Sequence, residues 1–154
     1  MNLEPADLWT HFSHLNAIPR PSKHEEAVTR MLVHLAKREG LAVSTDVTGN
    51  VLIRKPASPG REDRPVVALQ SHVDMVHQKN AGTEFDFATQ GIRMRVEGDW
   101  VKAEGTTLGA DNGIGVAAML AVLCSRTLAH PPLEALFTVD EETGLTGASG
   151  LEPG

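Results

Sequence analysis

An α/β layered domain, its sheet covered by helices, is the fold class the sequence predicts. Three observations point to it: two amphipathic helical stripes near the N-terminus, two short apolar runs at Val66–Leu69 and Leu133–Val139, and an almost wholly apolar helical run from Ile114 to Cys124 between them.

The first stripe is Leu8, Phe12 and Leu15, at i, i+4 and i+7. Pro5 can occupy the first turn of that helix, and Pro19 and Pro21 end it. Ser22 followed by Glu25 reads as a capping box. Behind it Val28, Met31, Leu32, Leu35 and Ala36 form the stripe of a second helix, closed by Gly40. His11, His14, His24 and His34 lie on these helices without an acidic or cysteine partner at ligand spacing, and read as surface or boundary residues. Leu41–Ser44 and Val51–Arg54 read as short strands joined by a turn at Gly49-Asn50, and 56–64 as a polar surface loop. Val66–Leu69, with its β-branched residues, is expected to be a strand buried on both faces. After irregular chain at 83–90, Ile92, Met94 and Val96 alternate with polar residues before Gly98-Asp99 and Trp100-Val101, predicting a half-exposed hairpin. The run from Ile114 to Cys124 shows no polar face and is expected to be covered on every side. Pro131-Pro132 then precedes the strand Leu133–Val139.

Bulk properties narrow the function classes. The chain has 154 residues, the size of one domain, which normally buries about 70% of its unfolded surface. Fourteen Lys and Arg stand against 20 Asp and Glu, a net charge of −6, which repels a nucleic-acid backbone. The single cysteine, Cys124, allows no internal disulfide and fits a reducing compartment as a small core residue. MNLEPADLW has no apolar signal-peptide core, and the longest apolar run falls short of the ~20 residues that span a bilayer. A soluble cytoplasmic protein with no nucleic-acid or membrane partner is the expectation.

Chemistry is concentrated in three places. The apolar run at Val66–Leu69 delivers the chain to Gln70-Ser71-His72-Val73-Asp74, where alternation in extended chain points His72 and Asp74 to one face and Val73 to the core. Asp111 lies in a polar turn with Gly109, Gly113 and Gly115 around it. Those glycines permit tight or left-handed backbone close to a ligand. The strand at Leu133–Val139 ends in Asp140-Glu141-Glu142, at the carboxyl end of a strand, where open α/β sheets bind ligands. Separately these read as a chance HxD, a capped core helix and a solvated acidic turn. Together they form an imidazole and carboxylate set suited to a divalent metal such as zinc, manganese or cobalt, with Asp111 as a bridge between two ions. Gly113-Ile114-Gly115 with Ala118 also satisfies a dinucleotide fingerprint, but the polar segment before it is no strand. No Lys-Ser/Thr follows the glycines, and no Gly-x-Ser-x-Gly occurs, so a P-loop and a serine hydrolase are excluded.

The ordered segments SHVDMVHQKN, WVKAEGTTLGADNGIGVAAMLAVL and LFTVDEETGLTGA, with IPRPSKHEE and GNVLIRKPA upstream, closely resemble the aminoacyl-histidine dipeptidases of the zinc aminoacylase/carboxypeptidase superfamily. The resemblance covers nearly the whole chain. It implies hydrolysis of dipeptides, Xaa-His types such as β-alanyl-histidine among them, by a two-zinc site in which manganese or cobalt are alternatives. His72 would ligate one metal, Glu142 the other, and Asp111 would bridge them. Glu141 would be the general base, and Asp74, grouped with it as catalytic, would orient the His72 ring from behind. A cis peptide between Asp111 and Asn112 is implied too. His77 and His130 receive no role. The family's catalytic domain continues beyond Gly154 and is interrupted by a lid or dimerisation domain, so residues 1–154 correspond to its N-terminal portion. Two further ligands, an Asp and a His, and the homodimer expected of the complete enzyme would depend on the remainder. With two protein ligands per metal the 154 residues alone are expected to be inactive, loosely packed, and to hold at least one carboxylate at a raised pKa. A non-catalytic fragment or binding module of the same fold is the alternative.

Overall fold

The computed structural model describes residues 3–152; Met1, Asn2, Pro153 and the chain end at Gly154 lie outside it. Its main sheet has four strands: β1 (Ala42–Thr45), β2 (Val51–Lys55), β3 (Val67–His72) and β6 (Leu133–Thr138). Their order is β1-β2-β6-β3, antiparallel except for the parallel β3–β6 pair. A separate hairpin pairs β4 (Met94–Glu97) with β5 (Trp100–Ala103) through the predicted turn at Gly98-Asp99.

The α/β class holds, and the helices take one side of the sheet. Helix α1 (Ala6–Asn16) buries Phe12 and Leu15 against α3 (Ala110–Cys124). Helix α2 (Glu26–Arg38) turns Val28, Leu32, Leu35 and Ala36 onto the inward residues Val51, Ile53, Ala135 and Phe137. Because side chains alternate along a strand, Leu52, Arg54, Glu134 and Leu136 share the other face, which is exposed or half-exposed. A short α4 (Thr146–Ser149) follows the acidic turn.

Three expectations need correction. Among the described residues β3 is an edge strand paired only with β6, and its first residues are open to solvent, so it is not buried on both faces. Helix α3 buries Val116, Ala117, Met119, Leu120 and Leu123, but Ile114, Ala118, Ala121 and Val122 are only half-covered. An apolar sequence shows that a helix lacks a polar face; it does not show how many neighbours surround it. The Ser22–Glu25 capping box does not form either. Helix α2 has no side-chain cap, and both residues bond across the fold instead.

Topology brings the chemistry to one edge. β3 and β6 are parallel, so His72 and Thr138 sit side by side at their carboxyl ends. Helix α3 is the crossover between them, and its N-terminus with Asp111 starts from that same edge. Among the described residues, no helix is long and apolar enough to cross a membrane.

Removing a large side chain from the helix-covered face leaves a cavity, so Phe137→Ala should cost ~3–5 kcal/mol in urea unfolding. Leu136→Ala, one residue away on the open face, should cost less than about half of that. Equal losses would contradict the one-sided core.

Candidate metal centre

Asp74 is fully buried just beyond the end of β3, and four donors converge on its carboxylate. His72 Nδ1 lies 3.2 Å from Oδ1, and Ser22 Oγ donates to Oδ2 at 2.8 Å. The backbone N–H groups of Glu141 and Glu142 donate to Oδ1 and Oδ2 at 3.0 and 3.1 Å. One carboxylate therefore holds an imidazole on one strand end and the backbone of two acids on the other. The predicted alternation is observed, since His72 and Asp74 meet while Val73 is fully buried.

With Nδ1 held by Asp74, His72 turns Nε2 away from the Asp74 carboxylate. That nitrogen meets Asp111 Oδ1 at 3.1 Å and Glu141 Oε2 at 3.8 Å. The His72, Glu141 and Glu142 side chains bring donor atoms within 4.8 Å of one another. Among the described residues the Asp111 carboxylate bonds to His72 alone, and its side chain is 85% exposed. His77 stacks edge-on to Phe87, and His130 Nδ1 meets the Pro131 carbonyl, so neither faces the cluster.

The electrostatics fit a cation. Burial alone would lower the His72 imidazole, but its hydrogen bonds to Asp74 and Asp111 and the surrounding carboxylate charge push it up to about 9. Burial would raise the Asp74 carboxyl, yet the bonds from His72, Ser22 and the two backbone amides hold it well below the usual carboxylate range. Glu142 is pushed up, first by burial and then by the charges of Asp111 and Glu141, against the pull of His72. A raised carboxylate was expected of a metal-free cluster. An outward imidazole nitrogen among crowded carboxylates is a donor set that a divalent ion would relieve.

A second buried acidic group, Glu25, Asp74 and Asp140, has comparable spacing but directs its oxygens at protein donors. Glu25 Oε1 accepts from the Lys23 and Asp140 amides, and Asp140 accepts from the Thr143 and Thr146 hydroxyls. Asn50 adds another tie, accepting from the Val139 amide and donating to the Gly147 carbonyl. These supports, with Ser22 and Arg20, escaped sequence reasoning. The bonds from Ser22, Arg20, Glu25 and Asn50 that tie this region together reach partners 52 to 115 residues away, beyond any local pattern.

The glycines around Asp111 act in two ways. Gly109 takes the left-handed conformation at φ 68°, as anticipated. Gly113 and Gly115 have no positive φ, but a Cβ on Gly115 would fall 2.5 Å from Ser71 Oγ, so it permits close approach of α3 to β3. The Asp111–Asn112 peptide is cis.

No protein-family model matches the chain. It is 51% identical over 150 residues to the cytosol non-specific dipeptidase of Escherichia coli K12, covering 97% of this chain and 31% of that protein. The aminoacylhistidine dipeptidase of Vibrio alginolyticus superimposes with a TM-score of 0.98 at 54% identity, over 99% of this chain and 31% of that one. A dinuclear metal binding peptidase of the M20 family from Bacillus subtilis shares the fold, with a TM-score of 0.53 at 21% identity over 88% of this chain and 35% of its own. The chain spans about a third of the length of the first two.

The metal-free chain should show a pH signature. The folded His72 pKa lies above its ordinary 6.5, so its stabilisation is complete below that value and is lost as pH rises through about 9. The folded Asp74 pKa lies below its ordinary 3.8, so its stabilisation is present above that value and is lost as pH falls further. Urea midpoints measured with chelator should decline from pH 6.5 to 9, and His72→Gln should flatten that decline. An unchanged slope in the variant would show that the imidazole is not held as described.

Proposed function

We propose, taking as premise that this chain belongs with the cytosol non-specific and aminoacylhistidine dipeptidases over the third of their length it spans, that it forms the part of a dipeptide hydrolase carrying His72, Asp111, Glu141 and Glu142. The observation that carries this reading is the Asp74 carboxylate, which bonds to His72 and to the amides of Glu141 and Glu142 at once. Nothing in ordinary sheet packing calls for that arrangement. A buried anion spent on aligning an outward imidazole with two carboxylates is a metal-peptidase device.

In this reading His72, through Nε2, together with Asp111 and Glu142 would hold zinc, Asp111 serving as the ligand common to two ions. The chemistry zinc would supply there is polarisation of the scissile carbonyl and a water pKa lowered from 15.7 toward ~7. Glu141, beside His72 Nε2 on the open side of the cluster, accepts a proton from the attacking water and returns it to the leaving amine. Asp74 touches no open space and keeps the His72 ring in the tautomer that presents Nε2. It is a positioning residue. Support for a peptide substrate comes from the two dipeptidases the chain is similar to, and for a cytoplasmic location from the cytosol enzyme of Escherichia coli; the two-ion count rests on the imidazole and carboxylate set with Asp111 as its shared member.

Two measurements test this. In the context of a full-length dipeptidase, Glu141→Gln should lower kcat by about 10²–10⁴ while bound zinc stays the same. Unaltered turnover would remove Glu141 as the base. The 154 residues by themselves offer two protein ligands per ion, against the three usual in catalytic zinc sites. Purified chain with zinc or manganese should therefore leave β-alanyl-histidine and a neutral dipeptide intact. Metal-dependent hydrolysis that disappears in Asp111→Ala would overturn that ligand count.

A further inference from the structure

Arg20 is 2% exposed and its guanidinium lies between the two segments that carry the candidate ligands. Nη1 donates to the carbonyls of Val73 and Asp74, at 3.0 and 3.2 Å, on the strand end bearing His72. Nη2 donates to the Gly109 carbonyl at 2.7 Å, in the turn that starts α3 and bears Asp111. It also donates to Asn16 Oδ1 at 2.9 Å, and Asn16 Nδ2 in turn donates to the Leu108 carbonyl of the same turn.

The sequence makes room for this head. A Cβ on Gly109 would fall 2.5 Å from Nη2, and one on Gly113 would fall 2.7 Å from it. Both glycines that bracket Asp111 thus border the guanidinium. The arrangement is costly, since burial pulls the Arg20 pKa down to about 10 against the charge of Asp74, and Nε has no partner among the described residues. A cation desolvated onto carbonyls and an amide, with no carboxylate in direct contact, is poor stability design. Its distinctive property is a rigid planar fork that can bond two chain segments at fixed separation.

We propose that Arg20 is a positioning residue that sets the distance between the strand end bearing His72 and the helix start bearing Asp111, and so fixes the approach of Asp111 to His72 Nε2. The proposal rests on the metal-site reading above, in that the spacing it fixes is the spacing between two ligands. A lysine retains the charge but not the fork, so it cannot serve both segments with the same geometry.

The test uses amide hydrogen exchange of the metal-free chain and Co²⁺ titration, on wild type, Arg20→Lys, Asp111→Asn and the double variant. The Gly113 amide, bonded to the Gly109 carbonyl, and the Val73 amide, bonded to the Thr138 carbonyl, report the two segments. Ile53 and Phe137 report the core. Arg20→Lys should speed exchange at Gly113 at least tenfold beyond any change at Ile53 and Phe137. It should also weaken Co²⁺ at least tenfold in the wild-type background and by less than about threefold in the Asp111→Asn background, because the two changes act on one contact. Asn16→Ala should give the same regional exchange pattern at smaller amplitude, and serves if Arg20→Lys does not fold. Uniform acceleration at all four amides, or additive losses of Co²⁺ affinity, would overturn the proposal. If wild type binds no Co²⁺ while the regional exchange pattern appears, Arg20 stands as the spacer and the metal reading is what fails.

Discussion

A buried carboxylate that is fully satisfied constrains everything around it, and the Asp74 carboxylate is satisfied from three separate parts of the chain. Ser22 comes from the segment before α2, His72 from β3, and the Glu141 and Glu142 amides from beyond β6. Losing any one donor would leave a charge in a nearly water-free place with an open lone pair, at a penalty of ~1–3 kcal/mol or more. The segments therefore cannot drift independently. The parallel pairing of β3 with β6 brings the strand ends together, and Asp74 fixes how they face one another.

Around that centre, a ring of longer-range bonds holds the acidic turn. Glu25 accepts from the Asp140 amide, Asn50 from the Val139 amide, and Asp140 from two threonine hydroxyls while its own backbone sits at φ 49°. These carboxylates and amides face inward to protein donors. Glu141, Glu142 and Asp111, by contrast, keep oxygens toward solvent beside His72 Nε2. Two acidic groups of similar spacing thus differ in what satisfies them, and only one is free to meet an ion.

What the sequence made legible is what depends on local period. Phe12 and Leu15, or Val28, Leu32 and Leu35, announce their helices because the buried face recurs every 3.6 residues, and the HxD pair announces its geometry because extended chain alternates. Solvent exposure was not legible from period. Val66–Leu69 and Ile114–Cys124 are apolar enough for full burial, yet β3 has one strand neighbour and α3 leaves Ile114, Ala118 and Val122 half-covered. Capping illustrates the limit well. Ser22 and Glu25 have the correct types and spacing for a local motif, but Asp74 and the Asp140 amide offer buried partners that compete for the same oxygens and win. Arg20 was invisible for the same reason, since its four acceptors belong to residues 16, 73, 74 and 109.

Asp74 is occupied by protein donors, and the proposed metal centre requires that the His72 ring it holds, with the neighbouring carboxylates, take an ion. Crystals of the chain soaked in zinc, with diffraction recorded on both sides of the zinc absorption edge, test this most directly. The predicted result is an anomalous peak at coordination distance from His72 Nε2, between Asp111 and the Glu141–Glu142 pair, with Ser22 and the two amides still bonded to Asp74. A peak among Glu25, Asp74 and Asp140, or a zinc ion bound with the His72 ring turned away from Asp74, would contradict it.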